Sequence, residues 1–193
     1  MSNGRPLIPG DEMHRRLVKE DALADADHDA IKRLLIAAFP QTAEIFAVAS
    51  YWGARPEYRL WLEGDDGEMV AHLDFERRVI RVGGREIVVA GVGEVATHPD
   101  WQQKGLGRRL MREFHTILCT EIPVPFGFLN CLEAVAGFYT SVGWRRMPQS
   151  TRERDRITGA WAEHTLPAMV LPAVAPIDAW PCEGLIDLCG APW

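Results

Sequence analysis

The spacing of apolar positions changes period several times along the 193 residues, and each change marks a new element. Residues 1–12 carry no periodic apolar signal and read as a flexible polar tail, which leaves 13–193 as a single domain. His14–Val18 is a short first strand. Ile31, Leu34, Leu35 and Ala38 recur at helical spacing, which predicts a helix over Ala30–Phe39 with Asp27 or Asp29 as its cap and Pro40 beyond its end. Thr42–Ser50 continues as an alanine-rich second helix. The period then drops to two in Tyr58–Glu63 (YRLWLE). Gly64–Gly67 (GDDG) is a turn, Met69–Val82 a long second strand, Gly83-Gly84 a two-residue turn, and Ile87–Thr97 a third strand stopped by Pro99. Helical spacing returns in Gly105–Thr120, with Leu106, Leu110, Phe114, Ile117 and Leu118 along one side. Pro125–Leu129 is a short buried strand, and Leu132–Ser141 is a helix with Gly143 in C-cap position. Arg152–His164 is highly charged and predicts a loop, Leu166–Leu171 a closing strand, and the last twenty residues irregular chain. This order predicts an α/β fold of the α+β kind: a mixed, mostly antiparallel central sheet flanked by helices.

Composition narrows the class without naming a function. Apolar residues make up 47% and charged residues 25%, the balance of a globular chain with one core. A net charge of −6 argues against nucleic acid as a partner, because phosphate neutralisation needs a basic face, and it suits a cationic substrate. Cys119, Cys131, Cys182 and Cys189 form no C-x-x-C pair and read as small buried hydrophobes in a reducing compartment. No metal site is expected. No apolar run approaches the ~20 residues of a membrane span, and the N-terminal residues lack the apolar stretch of a signal peptide. The expectation is a cytoplasmic protein with no membrane partner.

The chemistry begins after the third strand, at Pro99-Asp-Trp-Gln-Gln-Lys-Gly-Leu-Gly-Arg108. Two glycines let backbone N–H groups turn inward toward an anion, and a helix that follows adds its positive end. Lys104, Arg108 and Arg109 bring cations to the same place. Such a nest suits a pyrophosphate. Gly91–Ala96 (GVGEVA) also matches the dinucleotide pattern G-x-G-x-x-A, but Pro99 follows where a helix should run. A nucleotide-hydrolysing P-loop is absent.

In this context the stretch Glu94–Leu110 resembles motif A of the GNAT superfamily of N-acetyltransferases, with Gln102, Gly105 and Gly107 at the motif positions of [RQ]-x-x-G-x-[GA]. Phe138–Trp144 (FYTSVGW) is similar to the aromatic-Tyr-x-x-x-Gly-aromatic end of that family's fourth helix. The resemblance implies acetyl-CoA as donor, with Val95 and Thr97 pairing with the pantetheine and Gln102, Gln103, Lys104, Gly105, Leu106, Gly107 and Arg108 holding the pyrophosphate. It implies Tyr139 as the acid for the leaving thiolate. Within the superfamily, Val70–Val82 and a Trp near the end resemble the aminoglycoside 2′-N-acetyltransferases. The same stretch, with Trp52–Glu57 (WGARPE) and Trp180–Asp187 (WPCEGLID), is also similar to the nodulation A acyltransferases, which acylate a chitooligosaccharide amine.

Both relatives imply a small-molecule aminosugar as acceptor. A base is needed to take the amine proton. Glu94 is one candidate, although the enzymes this chain resembles place their acidic residue at a spacing that here falls on Gly93, on the opposite face of the strand, unless a bulge re-aims the chain. His72 is the other, because imidazole titrates near neutral pH. By resemblance, Asn130 and Trp193 contact the acceptor, Trp193 through its indole and a terminal carboxylate, and Glu44 and Asp187 add acidic contacts. Thr42, Ala47 and Ala191 stand roughly where the aminoglycoside enzymes carry acidic residues, so that reading points to an acceptor with fewer amines, such as kasugamycin, in antibiotic resistance. The alternatives are nodulation-type acylation and a non-catalytic CoA-binding module. A homodimer is compatible with either enzyme.

Overall fold

The computed structural model describes residues 13–193. The proposed tail at 1–12 lies outside the described residues. Ten strands join in one sheet: β1 (His14–Lys19), β2 (Tyr58–Glu63), β3 (Met69–Val82), β4 (Arg85–Thr97), β5 (Phe126–Asn130), β6 (Arg145–Met147), β7 (Thr151–Arg154), β8 (Trp161–His164), β9 (Ala168–Pro172) and β10 (Ile186–Asp187). Four α-helices pack on it: α1 (Asp25–Ala38), α2 (Ala43–Val48), α3 (Leu106–Thr120) and α4 (Glu133–Ser141).

The meander is built as its turns predict. Gly83 and Gly84 both have positive φ, 55° and 83°, the geometry of a tight hairpin loop that side chains resist. β3 and β4 then pair antiparallel from Val82↔Arg85 up to Ala71↔Thr97. β3 is long enough to change partners, pairing with β2 along Met69–Phe75 and with β10 at Arg81 and Val82. β4 runs parallel to β5 only where Val89, Ala90 and Gly91 face Phe126, Gly127 and Phe128. Beyond Gly91 the two strands splay, and the sheet opens into a wedge.

Helix α3 covers one face through Leu106, Leu110, Met111, Phe114, Ile117 and Leu118, all buried against Leu60, Leu73 and Phe75 of the sheet. On the other face of the wedge, Ile31, Leu34 and Leu35 of α1 and Phe46 of α2 close over Trp61 and Ala96. The end of α4 is a Schellman turn: Trp144 N–H donates to the Tyr139 carbonyl at 3.1 Å and Gly143 N–H to Thr140 at 3.3 Å, with Gly143 at φ 99°. That turn fixes the roll of α4 and therefore the direction of Tyr139.

Several expectations need correction. α1 starts at Asp25, five residues early, with Ala24 in cap position; Asp27 lies in the first turn, where its carboxylate accepts the Ala24 N–H at 3.0 Å. Arg152–His164 is not a loop but the β7–β8 hairpin. Its strands TRER and WAEH carry few apolar residues because β8 is the sheet edge, where charge blocks unwanted pairing. The last twenty residues contain β10, which inserts between β3 and β7. Cys182 and Cys189 are exposed, so only Cys131 is a buried thiol and Cys119 is half-buried. Among the described residues no helix is long and apolar enough to cross a membrane.

Candidate active site

The wedge between β4 and β5 is a cavity of about 640 Å³, floored by the two strands and closed by α3, α4 and Trp193. One end is the anion loop. Gln103 and Gly105 adopt left-handed backbone, φ 61° and 81°, which swings the chain into the first turn of α3. The first bond of that helix runs from Arg109 N–H to the Gly105 carbonyl, so the amides of its opening turn are not spent within the helix. A Cβ on Gly107 would sit 3.4 Å from the Phe138 ring, so the helix lies close against α4. Arg108 reaches the same rim, held by Ser141 O at 2.8 Å and Ser141 Oγ at 3.2 Å. Lys104 does not line the cavity and instead lies over the Trp101 ring at 4.6 Å.

Val95 and Thr97 line the cavity on β4, as do Gln102, Gln103, Gly105, Leu106, Gly107 and Arg108 around the loop. Gln102 ties the loop to the strand through Nε2 donating to the Thr97 carbonyl at 3.3 Å. Across the wedge stand Asn130 and Tyr139. Asn130 Nδ2 donates to Thr151 Oγ1 at 3.0 Å, which links the cavity to the unanticipated β7–β8 hairpin. Tyr139 is wedged edge-on between Phe138 and Trp144, and burial pushes its phenol well above the ordinary range, so it stays protonated.

Glu94 reaches the cavity because β4 contains a bulge. His72 pairs with Ala96 and Asp74 with Gly93, so Glu94 and Val95 together oppose Leu73 alone. Glu94 takes the extra residue's strain, with φ 48°. Its carboxylate accepts the Trp52 N–H at 2.7 Å. Burial, only partly offset by Trp52, Arg59 and Arg156, pushes its pKa to about 7. That is the proton affinity of a base working near neutrality. His72, the other candidate base, is fully buried and does not line the cavity. Burial and the Arg59 charge drive its pKa down to about 3, and its Nδ1 lies 3.1 Å from the Glu94 carbonyl. A neutral imidazole there is a prop for the bulge.

Beyond Glu94 a second recess of about 400 Å³ opens among Phe39, Ile45, Phe46, Trp52 and Trp193. Trp193 forms its wall. The indole lies flat on β4, donates to Glu76 at 2.9 Å, and is covered by the Arg78 guanidinium at 4.4 Å. This explains the GVG stretch that mimics a dinucleotide motif: a Cβ on Gly91 would fall 1.8 Å from the indole. Gly91→Ala therefore expels Trp193 from its slot, at about 1–3 kcal/mol of stability. In a Trp193→Ala background the same substitution costs less than about 0.5 kcal/mol, a coupling that a double-mutant cycle by denaturant melts reads directly. The two remaining expected contacts are not gathered here. Glu44 is exposed on α2 without lining either recess, and Asp187 on β10 accepts the Cys189 N–H at 2.8 Å beside Arg152.

Sequence reading missed Asp74, Arg59 and Arg156. Arg59 and Asp74 are charged residues flanked by apolar or aromatic neighbours, in Tyr58-Arg59-Leu60 and Leu73-Asp74-Phe75, the one signal that marked them. Arg156 sits on the hairpin turn with its guanidinium 4.7 Å over the Trp52 ring.

The fold is shared with solved N-acetyltransferases. One is the GNAT N-acetyltransferase YhbS of Escherichia coli in complex with CoA: TM-score 0.61, 17% identity, 92% of this chain and 89% of that one. Another is the ribosomal-protein-S18-alanine N-acetyltransferase of the same organism: TM-score 0.53, 22% identity, 87% and 100%. The fold is that of the GNAT class. Within that class, the model of nodulation protein A (NodA) matches residues 11–192. Nodulation protein A of Methylobacterium nodulans is 29% identical over 190 residues, covering 91% of this chain and 87% of that one. That of Bradyrhizobium sp. (strain NC92) is 30% identical over 188 residues, covering 89% and 87%. The chain belongs to the nodulation protein A family. This reverses the order in which β3 and Trp193 had placed the two sugar-modifying relatives.

Proposed function

We propose that this protein moves an acyl group from an acyl-CoA thioester to the free amine of a chitooligosaccharide-type aminosugar, rather than to an aminoglycoside. The observation that carries the reading is Glu94, turned by the β4 bulge into the same cavity that Tyr139 faces. Full-length family membership supports an oligosaccharide acceptor, and the sparse acidic lining supports one with a single amine. The intact loop from Gln102 to Arg108 favours a pyrophosphate-bearing donor.

In this reading Glu94 takes the proton as the acceptor nitrogen bonds to the thioester carbon. Tyr139 gives its phenolic proton to the sulfur as the carbon–sulfur bond breaks, and the proton balance closes through solvent. Unpaired amides along the splayed edge of β4 hold the donor's amide chain, and Arg108 with the opening turn of α3 binds its phosphates. Asn130 and the Trp193 indole contact the acceptor.

Thiol release measured with acetyl-, octanoyl- and palmitoyl-CoA, each against a partly deacetylated chitooligosaccharide and an aminoglycoside panel, tests the assignment. Release with the chitooligosaccharide is expected. Release with aminoglycosides alone overturns the acceptor, and donor binding with no release under any pairing overturns the enzyme. Tyr139→Phe should lower kcat by about 100-fold, at the low end for lost acid catalysis, with donor affinity unchanged by calorimetry.

A further inference from the structure

The β7–β8 hairpin carries a row of charges, and most of them are spent close to home. Arg152 lies over Trp161 at 4.5 Å and stands 3.8 Å from Asp187 of β10, and Glu153 is 3.2 Å from His164. Arg154 donates to the Gly159 carbonyl at 3.0 Å, and Glu163 accepts from the Ser150 hydroxyl at 2.6 Å. Asp155 is consumed by its own turn. Its carboxylate accepts the N–H groups of Ile157 at 3.0 Å and Thr158 at 2.6 Å, and the Thr158 hydroxyl at 2.8 Å. The turn is closed at its base by Asp155 N–H donating to the Ala160 carbonyl at 2.8 Å, which makes it a firm mount for the residue between. That residue, Arg156, reaches across to Trp52. Its guanidinium lies 4.7 Å over the ring, and among the described residues it meets no hydrogen-bond acceptor and no ion-pair partner.

Trp52 ties this cation to the recess beyond Glu94. It lines the recess, and its N–H is the one that the Glu94 carboxylate accepts at 2.7 Å. Two residues on, Ala54 N–H donates to the Pro192 carbonyl at 2.8 Å, so Trp52 and Trp193 stand on joined segments. Of the residues lining the recess, only Glu94 has an ionisable side chain. The neighbouring charges are committed elsewhere. Arg59 donates to Glu20 at 2.7 Å, to Asp74 at 2.9 Å and to the Ser50 carbonyl at 2.7 Å; Arg55 lies 3.9 Å from Glu20. Glu44 is exposed and lines neither recess. The recess thus offers one carboxylate within and one uncommitted guanidinium at its mouth. An aminosugar whose amine meets Glu94 has its next ring at that mouth. There a second ammonium is repelled, whereas a carbonyl or hydroxyl oxygen finds a planar set of donors with no other claim on them.

We propose that Arg156 is a specificity-determining residue that reads the acceptor's second ring, donating to the acetamido carbonyl of an N-acetylated hexosamine and turning away a second ammonium at that place. This rests on the aminosugar acylation proposed above. Rejection of polyamine acceptors then has a cause in one side chain, beyond the shortage of carboxylates.

Two disaccharides differing by one acetyl group test it: glucosamine joined to N-acetylglucosamine, with a single amine, and the same disaccharide with both amines free. The kcat/KM for thiol release is measured with each at low salt. The wild type should prefer the mono-amine. Arg156→Gln should cut that preference by about threefold or more, mainly through KM, and Arg156→Glu should cut it further. Arg156→Lys keeps the charge without the fork, so it still rejects the diamine but binds the mono-amine less well. Raising ionic strength to about 1 M, where charges are screened beyond ~3 Å, should narrow the wild-type preference and leave that of Arg156→Gln unchanged. A wild type that favours the diamine, or a preference that survives in both Arg156→Gln and Arg156→Glu, overturns the proposal. Loss of Trp52 packing alone lowers both acceptors equally and so falls in that second outcome. No release from either disaccharide with any acyl-CoA overturns the acyltransferase reading itself, which an unchanged preference leaves standing.

Discussion

Glu94→Gln should lose acylation by about 100- to 10,000-fold while making the protein more stable above neutral pH. The two effects share one cause. In the folded chain this carboxyl is pushed from an ordinary 4.5 to about 7, so the folded state holds a proton that the unfolded chain releases earlier. The sign follows from linkage: a raised carboxyl contributes stability in full below about 4.5, and that contribution is lost as pH rises to about 7. The loss is about 3 kcal/mol, less to the extent that Asp74 shares the titration. Glutamine has no proton to lose and still offers an oxygen to the Trp52 N–H. The variant's melting temperature minus that of the wild type should therefore climb between pH 4.5 and 7 and stay flat above. A difference that does not change with pH would show that Glu94 is not strained electrostatically.

The second large effect is structural. Arg59→Met should cost about 3–5 kcal/mol, because it leaves Glu20 and Asp74 buried without their cation and the Ser50 carbonyl without a donor. Arg59→Lys should recover little of this. A single ammonium cannot reach both carboxylates and the Ser50 carbonyl in the directions the planar fork uses. Urea denaturation at pH 7 measures both. A lysine variant as stable as the wild type would mean that charge alone, not the fork, holds the cluster.

How far the residues disclosed this depends on where the information is stored. The meander was legible because YRLWLE, GDDG and Gly83-Gly84 are local signals, and the loop before α3 because its glycines are needed for backbone shape. Tyr139 was legible through Gly143, whose positive φ ends α4 at a fixed distance. The bulge was legible only as a possibility. Whether Glu94 or Gly93 faces the cavity depends on pairing with His72 and Asp74, residues some twenty positions away. The β7–β8 hairpin was invisible, since TRER and WAEH gain their strand character from β10 and from each other rather than from apolar alternation. The Arg59 cluster joins the β1–β2 link, β2 and β3, and no local pattern shows that Glu20 waits for Arg59. The GVG stretch was misleading in an instructive way: Gly91 is explained by the Trp193 indole, over a hundred residues later, and Gly93 by the Asp74 carboxylate on the neighbouring strand.

Three residue pairs join β4 to β5, and beyond Gly91 nothing bridges them but the cavity. The sheet is thus two plates, β1–β4 with β7, β8 and β10 on one side and β5, β9 and β6 on the other, whose strands pair at a single spot and which the Asn130–Thr151 hydrogen bond ties once more. A donor whose amide chain lies along the open edge of β4 becomes a strand supplied from solution. It would mend the seam, and protection from hydrogen exchange should spread from Val92–Thr97 into Leu129–Asn130 when donor is added. Stability gained this way follows the logarithm of donor concentration over its dissociation constant, about 2.7 kcal/mol at a hundredfold excess. On the proposed reading, the protein's mechanical integrity is partly on loan from the pool of its donor.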